Sequence, residues 1–210
     1  MNIATADISN RAIGIIGVGK IGSCIVKGYA TVACSASVPR KIILSPRGEK
    51  NVKELSAEFN SLVEVAASNE EVVEKSDIIF IGLLPTTAKD ILPTLVFDSK
   101  RHIVISMMAT IDMQYLLEWT RLPQDRVVRT VPLPSCARRT GPILQFPKNG
   151  NIESILSIVG TPVACSNEQD MKPMVAMTGH ISSFYELMRV TQVPPASFST
   201  LLHTCTTHSS

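Results

Sequence analysis

Polar and apolar positions along this chain fall into two alternating regimes. Short apolar, β-branched runs read as strands, and stretches with apolar residues three and four apart read as helices. Strands are predicted at 12–16, 41–44, 63–66, 77–84, 102–106, 126–131, 143–146 and 161–164. Helices are predicted at 21–33, 51–59, 85–92, 111–119 and 151–158. Asp77 to Leu84 is almost continuously apolar, the pattern of a strand covered on both faces by helices. Ser68 and Glu71 have the spacing of a capping box, which starts a short helix ending near Lys75. A second such box at Ser166 to Gln169 starts a helical stretch from Asp170 that is interrupted at Gly179 and resumes through Arg189. Pro194-Pro195 ends it, and the Ser/Thr-rich residues beyond are expected to be poorly ordered.

The β-α-β order calls for an open parallel sheet with helices on both faces. At the end of the first strand stands Gly17-Val18-Gly19-Lys20-Ile21-Gly22. In a Gly-x-Gly-x-x-Gly turn the first glycine permits the tight bend and the second lets a pyrophosphate approach the backbone. The third lets the helix pack closely on the strand. The following helix N-terminus offers free N–H groups to phosphates. The expected fold is therefore α/β: a Rossmann-type doubly wound, mainly parallel sheet with a short C-terminal helical segment. Residues 1–168 form the NAD(P)-binding domain, 169–193 the start of a truncated helical domain, and 194–210 a tail.

The end of the second strand bears on which dinucleotide is bound. A site for NAD carries an acidic residue there for the ribose 2′-hydroxyl. This chain has Ser45-Pro46-Arg47, and a hydroxyl with a guanidinium suits a 2′-phosphate. NADP(H) is expected in preference to NAD(H).

Composition narrows the class of function. The chain of 210 residues is 45% hydrophobic and 18% charged, with a net charge of +2, so neither nucleic acid nor an anionic membrane is an expected partner. No apolar run reaches the roughly 20 residues of a membrane span. The five cysteines are scattered without a Cys-x-x-Cys pair, which argues against a disulfide framework or zinc ribbon and for a reduced, cytoplasmic protein. His203, Cys205 and His208 in the tail are read as incidental, so no metal is expected.

The ordered series of motifs resembles the pyrroline-5-carboxylate reductase family, which reduces a cyclic imine with NAD(P)H. Gly17 to Gly22 matches the family's glycine turn, and Ser45-Pro46-Arg47 its 2′-phosphate loop. Gly82-Leu83-Leu84-Pro85 and Ser106-Met107-Met108-Ala109 fall where the family has segments lining the cofactor. Arg129-Thr130-Val131-Pro132 resembles its Arg-x-Met-Pro, and Met177-Thr178-Gly179 through Tyr185 the start of its helical domain. Leu84 stands in place of the family's lysine and Leu133 in place of its asparagine. The resemblance implies cofactor contacts by Gly17, Val18, Gly19, Lys20, Ile21, Gly22, Ser45, Pro46, Arg47, Leu83, Leu84, Pro85, Met107, Met108 and Ala109.

Imine reduction needs a proton as well as a hydride. His180, at the domain junction, is the one histidine worth testing as the acid; His102 is read as structural or solvent-facing. Arg138 and Arg139 are candidate partners for the carboxylate of a small-molecule substrate, and Cys136 beside them is a candidate reactive thiol. The apolar stretch from Met174 to Val190 suggests a homo-oligomer or a helical partner. The functional expectation is an NADP-dependent oxidoreductase resembling pyrroline-5-carboxylate reductase. The alternative is an NADP(H)-binding regulatory or sensor protein without reductase activity.

Overall fold

The structure is a computed structural model that describes residues 7–32 and 37–176. Two compact units divide the chain, 1–171 and 172–210. In the second, residues 172–176 are described and are helical. His180, the tail with its histidines and Cys205, Cys34, and most of the apolar stretch after Met174 lie outside the described residues.

The first unit is built on an eight-stranded sheet. Its strands are β1 (Ala12–Ile16), β2 (Lys41–Leu44), β3 (Val63–Val65), β4 (Ile78–Ile81), β5 (Ile103–Ser106), β6 (Val127–Val131), β7 (Pro142–Phe146) and β8 (Thr161–Ala164). The helices are α1 (Lys20–Ala30), α2 (Glu49–Glu58), α3 (Asn69–Lys75), α4 (Pro85–Ile91), α5 (Met113–Thr120) and α6 (Gly150–Leu156). Strand order is β3-β2-β1-β4-β5-β6-β7-β8. Pairing is parallel up to β6, β7 runs antiparallel to β6, and β8 is parallel to β7.

Alternation along the strands divides the core in two. Ile13, Ile15, Ile42, Leu44, Ile78, Phe80 and Ile105 point to one face, where Ile25 and Tyr29 of α1, Leu55 of α2 and Ile155 of α6 cover them. Ile43, Ile79, Ile81 and Val104 point to the other, beneath Val72 of α3, Ala88 of α4 and Leu116 of α5. The Tyr29 hydroxyl crosses the first layer to donate to the Ile155 carbonyl at 2.9 Å, so even the core's phenol is satisfied.

Ser68 caps α3, its hydroxyl accepting from the Glu71 N–H. The return bond lands one residue earlier than the capping-box pattern predicts, with the Glu71 carboxylate accepting from the Ala67 N–H. The second predicted box is replaced by a turn in which Asn167 accepts from the Asp170 N–H. His102 is buried, and its Nδ1 accepts from the Asp98 N–H at 2.9 Å, which bears out a structural role.

Asp77 pins the entry to the central strands. Its carboxylate accepts from the Ala12 N–H at 2.8 Å and from Arg101 Nε at 2.9 Å. Burial works against the charged form, but these donors outweigh it and hold the carboxyl below its ordinary range. With the folded-state value depressed, the stabilisation is complete above the unfolded carboxylate's pKa of about 4 and is lost as pH falls through the folded value. Asp77→Ala is expected to cost about 1–2 kcal/mol near neutrality. In urea denaturation the gap between variant and parent should close in strong acid; a gap that is independent of pH would remove the carboxylate from this role.

Candidate functional site

The strand order reverses between β1 and β4, and in doubly wound sheets ligands bind beyond the carboxyl ends of strands at such a switch point. Three glycines shape the loop there, each differently. Gly17 has φ of +94°, and a Cβ on it would lie 2.4 Å from the Gly82 carbonyl oxygen. Gly22 sits against β1, where a Cβ would meet the Gly17 carbonyl oxygen at 2.7 Å. Gly19 is exposed, and a Cβ there would have nothing within 4 Å. Tight turn, close helix–strand packing and open approach are thus three separate properties of one loop.

Gly19 is also the N-cap of α1 and supplies no side-chain cap, and the first turn carries no acidic residue. The N–H groups of that turn and the positive end of the helix dipole face the open side of the loop, an arrangement that can accept a phosphate.

Neighbouring loops brace this one. The Ser45 hydroxyl accepts from the Gly17 N–H at 3.1 Å. Asn51 Nδ2 donates to the Val18 carbonyl at 2.9 Å. Ser45 is buried, Pro46 half-buried and Arg47 exposed. Of the tripeptide, Ser45 braces the turn and Arg47 reaches solvent at the rim. Beyond β4, Leu83 is half-buried, Leu84 is 73% exposed and Pro85 begins α4. Beyond β5, Met107 is half-buried and packs with the α1 face of the core. Met108 turns the other way and is buried beneath α4 and α5, so its side chain is core rather than loop surface. Ala109 is half-buried, and its carbonyl accepts from Arg129.

Arg129 is the main residue here that local pattern alone does not single out. It projects from β6 with a buried guanidinium that donates to Asp112, to Glu168 and to the Ala109 carbonyl at 3.0 Å. Glu168 also accepts from the Met113 N–H, the first residue of α5. Thr130 donates to the Ser106 carbonyl, and the Ser106 hydroxyl accepts from the Met108 N–H. The β5–α5 loop is therefore held from beneath by two consecutive residues of β6.

Two sequence candidates are placed elsewhere. Arg139 donates to both the carbonyl and the hydroxyl of Thr31, at 2.7 Å each. Thr31 is the C-cap of α1, so Arg139 neutralises the negative end of the helix. That end is about 16 Å from the glycine loop along a helix of this length. Arg138 is exposed on the same turn, Pro134–Arg138. The pair thus sits at the wrong end of α1 to meet a substrate at the switch point. Cys136 is buried and its thiol pKa is raised, so it is not the reactive thiol of the region. A cavity of about 420 Å³ lined by Asp7, Arg11, Asp125, Arg126 and Asn149 opens at the opposite, N-terminal ends of the strands and has no part in this loop cluster. No helix among the described residues is long and apolar enough to cross a membrane.

The strand order, the switch point and the glycine turn define a Rossmann-like doubly wound domain. Residues 12–110 match the family described as NADP oxidoreductase coenzyme F420-dependent. Pyrroline-5-carboxylate reductase of Arabidopsis thaliana is 30% identical over 133 residues, covering 63% of this chain and 46% of that protein. The 1-pyrroline-5-carboxylate reductase of Streptococcus pyogenes has the same fold, with a TM-score of 0.69 at 21% identity over 95% of this chain and 80% of the other. A Plasmodium falciparum pyrroline carboxylate reductase solved with NADP bound also has a TM-score of 0.69, at 19% identity over 95% of this chain and 76% of the other. Over this NAD(P)-binding type of domain the chain is similar to pyrroline-5-carboxylate reductases in sequence and in fold. The matches span less than half the length of the curated relatives compared.

Proposed function

We propose that this chain carries the nucleotide half of an NADP(H)-dependent reductase acting on a C=N bond, as in the pyrroline-5-carboxylate reductases to which it is related. The observation that carries the reading is the open flank of Gly19 beside the uncapped start of α1. A cradle that a Cβ would fill, lined by unpaired N–H groups at a helix N-terminus, fits a pyrophosphate. When bound, the nicotinamide supplies the hydride.

The chain's own residues do the holding. Gly17 to Gly22 receive the pyrophosphate, and Ser45 and Asn51 keep that loop from shifting. Leu83, Leu84, Pro85, Met107 and Ala109 form the floor along which the dinucleotide lies. Leu84 offers an exposed apolar side chain where the family has lysine. Arg47, at the rim two residues from the buried Ser45, takes the 2′-phosphate as paired donors. The preference for NADP(H) rests on that guanidinium and on the absence of an acidic residue in Ser45-Pro46-Arg47.

The test is titration of the chain with NADPH and NADH, followed by pyrroline-5-carboxylate and loss of cofactor absorbance. Tight NADPH binding with turnover supports the whole reading, while binding without turnover limits it to the nucleotide half. Arg47→Ala should weaken NADPH about 10–100-fold, as expected for lost charge-assisted hydrogen bonds, and leave NADH nearly unchanged. An equal effect on both nucleotides would remove Arg47 from the 2′-phosphate site.

A further inference from the structure

Cys24 lies on α1 and packs against the core cluster that holds Cys136, which the turn Pro134–Arg138 carries onto the same helix. The backbone holds them together. The Cys136 carbonyl oxygen would be 2.5 Å from a Cβ on Gly28, so the turn rests directly on the helix. Arg139 fastens its far end to Thr31. The environments of the two thiols are unequal. Cys24 is half-exposed, with Lys20 four residues before it and Lys27 three after, on the same helix face. Cys136 is buried in the core.

We propose that Cys24 and Cys136 are a peroxide-sensitive thiol pair, Cys24 being oxidised first and Cys136 resolving it to a disulfide between α1 and the following turn. An electropositive, accessible thiol is the reactive kind, and a buried one is inert until its neighbour is oxidised. The Cys24 thiolate attacks one peroxide oxygen and the O–O bond breaks. Sulfur is oxidised to sulfenic acid, and the peroxide is reduced to water. The Cys136 sulfur then displaces the hydroxyl from Cys24. An S–S bond replaces the S–O bond, and the thiol proton leaves with the departing oxygen as a second water.

Geometry and acidity agree on this order. The Cys136 thiol is the largest influence on Cys24 and, with Lys20 and Lys27, outweighs burial to bring its pKa down to about 7. Cys136 is pushed up by the same contact and by burial. Cys165 is also raised by burial, which leaves it the poorer nucleophile.

The experiment uses the full chain with limiting hydrogen peroxide and non-reducing peptide mapping. A joined peptide containing Cys24 and Cys136, lighter by about two hydrogens and restored by a thiol reductant, is expected. With Cys136→Ser, Cys24 should stop at the sulfenic acid and be trapped by dimedone. The proposal is overturned if Cys24 resists peroxide, if it remains a sulfenic acid in the parent, or if its disulfide partner is Cys34, Cys165 or Cys205.

Discussion

Gly17→Ala is expected to abolish nucleotide binding and to lower the unfolding free energy by about 3 kcal/mol. Two costs add. The residue has φ of +94°, outside the range an L side chain adopts easily. The new methyl would lie 2.4 Å from the Gly82 carbonyl oxygen and 2.7 Å from its carbon. Both atoms are backbone at the end of a central strand, so relief requires the β1–α1 loop itself to move. Movement there displaces the start of α1 and the N–H groups proposed to receive the phosphates.

Gly19→Ala separates the two effects. Its methyl would meet nothing within 4 Å, so stability should fall by no more than about 1 kcal/mol, the difference between glycine and alanine at a helix N-cap. Nucleotide affinity should nevertheless fall by tenfold or more (about 1.4 kcal/mol), because the space taken is the space the pyrophosphate needs. Urea denaturation and NADPH titration on both variants decide the matter. A Gly19→Ala chain that binds like the parent would sink the assignment of this cradle.

Arg129→Met should produce the largest loss of stability away from the glycine loop, about 3 kcal/mol. The arginine side chain is 4% exposed, and its removal leaves Glu168 without its cation, held only by the Met113 N–H, and the Ala109 carbonyl without its donor. Glu168 contributes most of the loss, because it is 28% exposed and can be only partly rehydrated. Asp112 contributes little, being 44% exposed at a longer 3.3 Å. Adding Glu168→Gln to the arginine variant should recover about 1–2 kcal/mol, since the uncompensated charge is then gone. Additive losses in the double variant would mean that the two residues act independently.

The sheet was largely legible because its strands are covered on both faces, and such strands are continuous apolar runs in any context. Where the reading overran, the cause is local. Asp77 to Leu84 is apolar to its end, but the ladder stops at Ile81 and Gly82 onward turns out as loop. The tight turn at Gly17 and the close packing at Gly22 were also legible, because each is a property of backbone alone.

Charged and thiol side chains were less so. Arg138 and Arg139 form an anion-binding pattern on paper, yet Arg139 caps a helix more than a hundred positions away in sequence. Glu168 was read as part of a local cap, but its partner is a buried arginine on β6. Cys136 was singled out, but it is buried, and Cys24 on the helix it packs against is the half-exposed thiol. In each case the partner is brought in by the sheet, and no spacing along the chain encodes it.

The loops after β1, β4 and β5 touch in series. Gly17 rests on Gly82, and a Cβ on Gly82 would meet the Met107 methyl at 2.9 Å and the Gly17 carbonyl oxygen at 3.3 Å. Anyone recombining this domain with a relative inherits that arrangement as a single cassette. A graft of one loop brings a surface cut for neighbours left behind in the donor. Chimaeras with crossovers outside residues 17–107 should tolerate exchange, whereas those that divide the cassette should require compensating substitutions in whichever loops remain native.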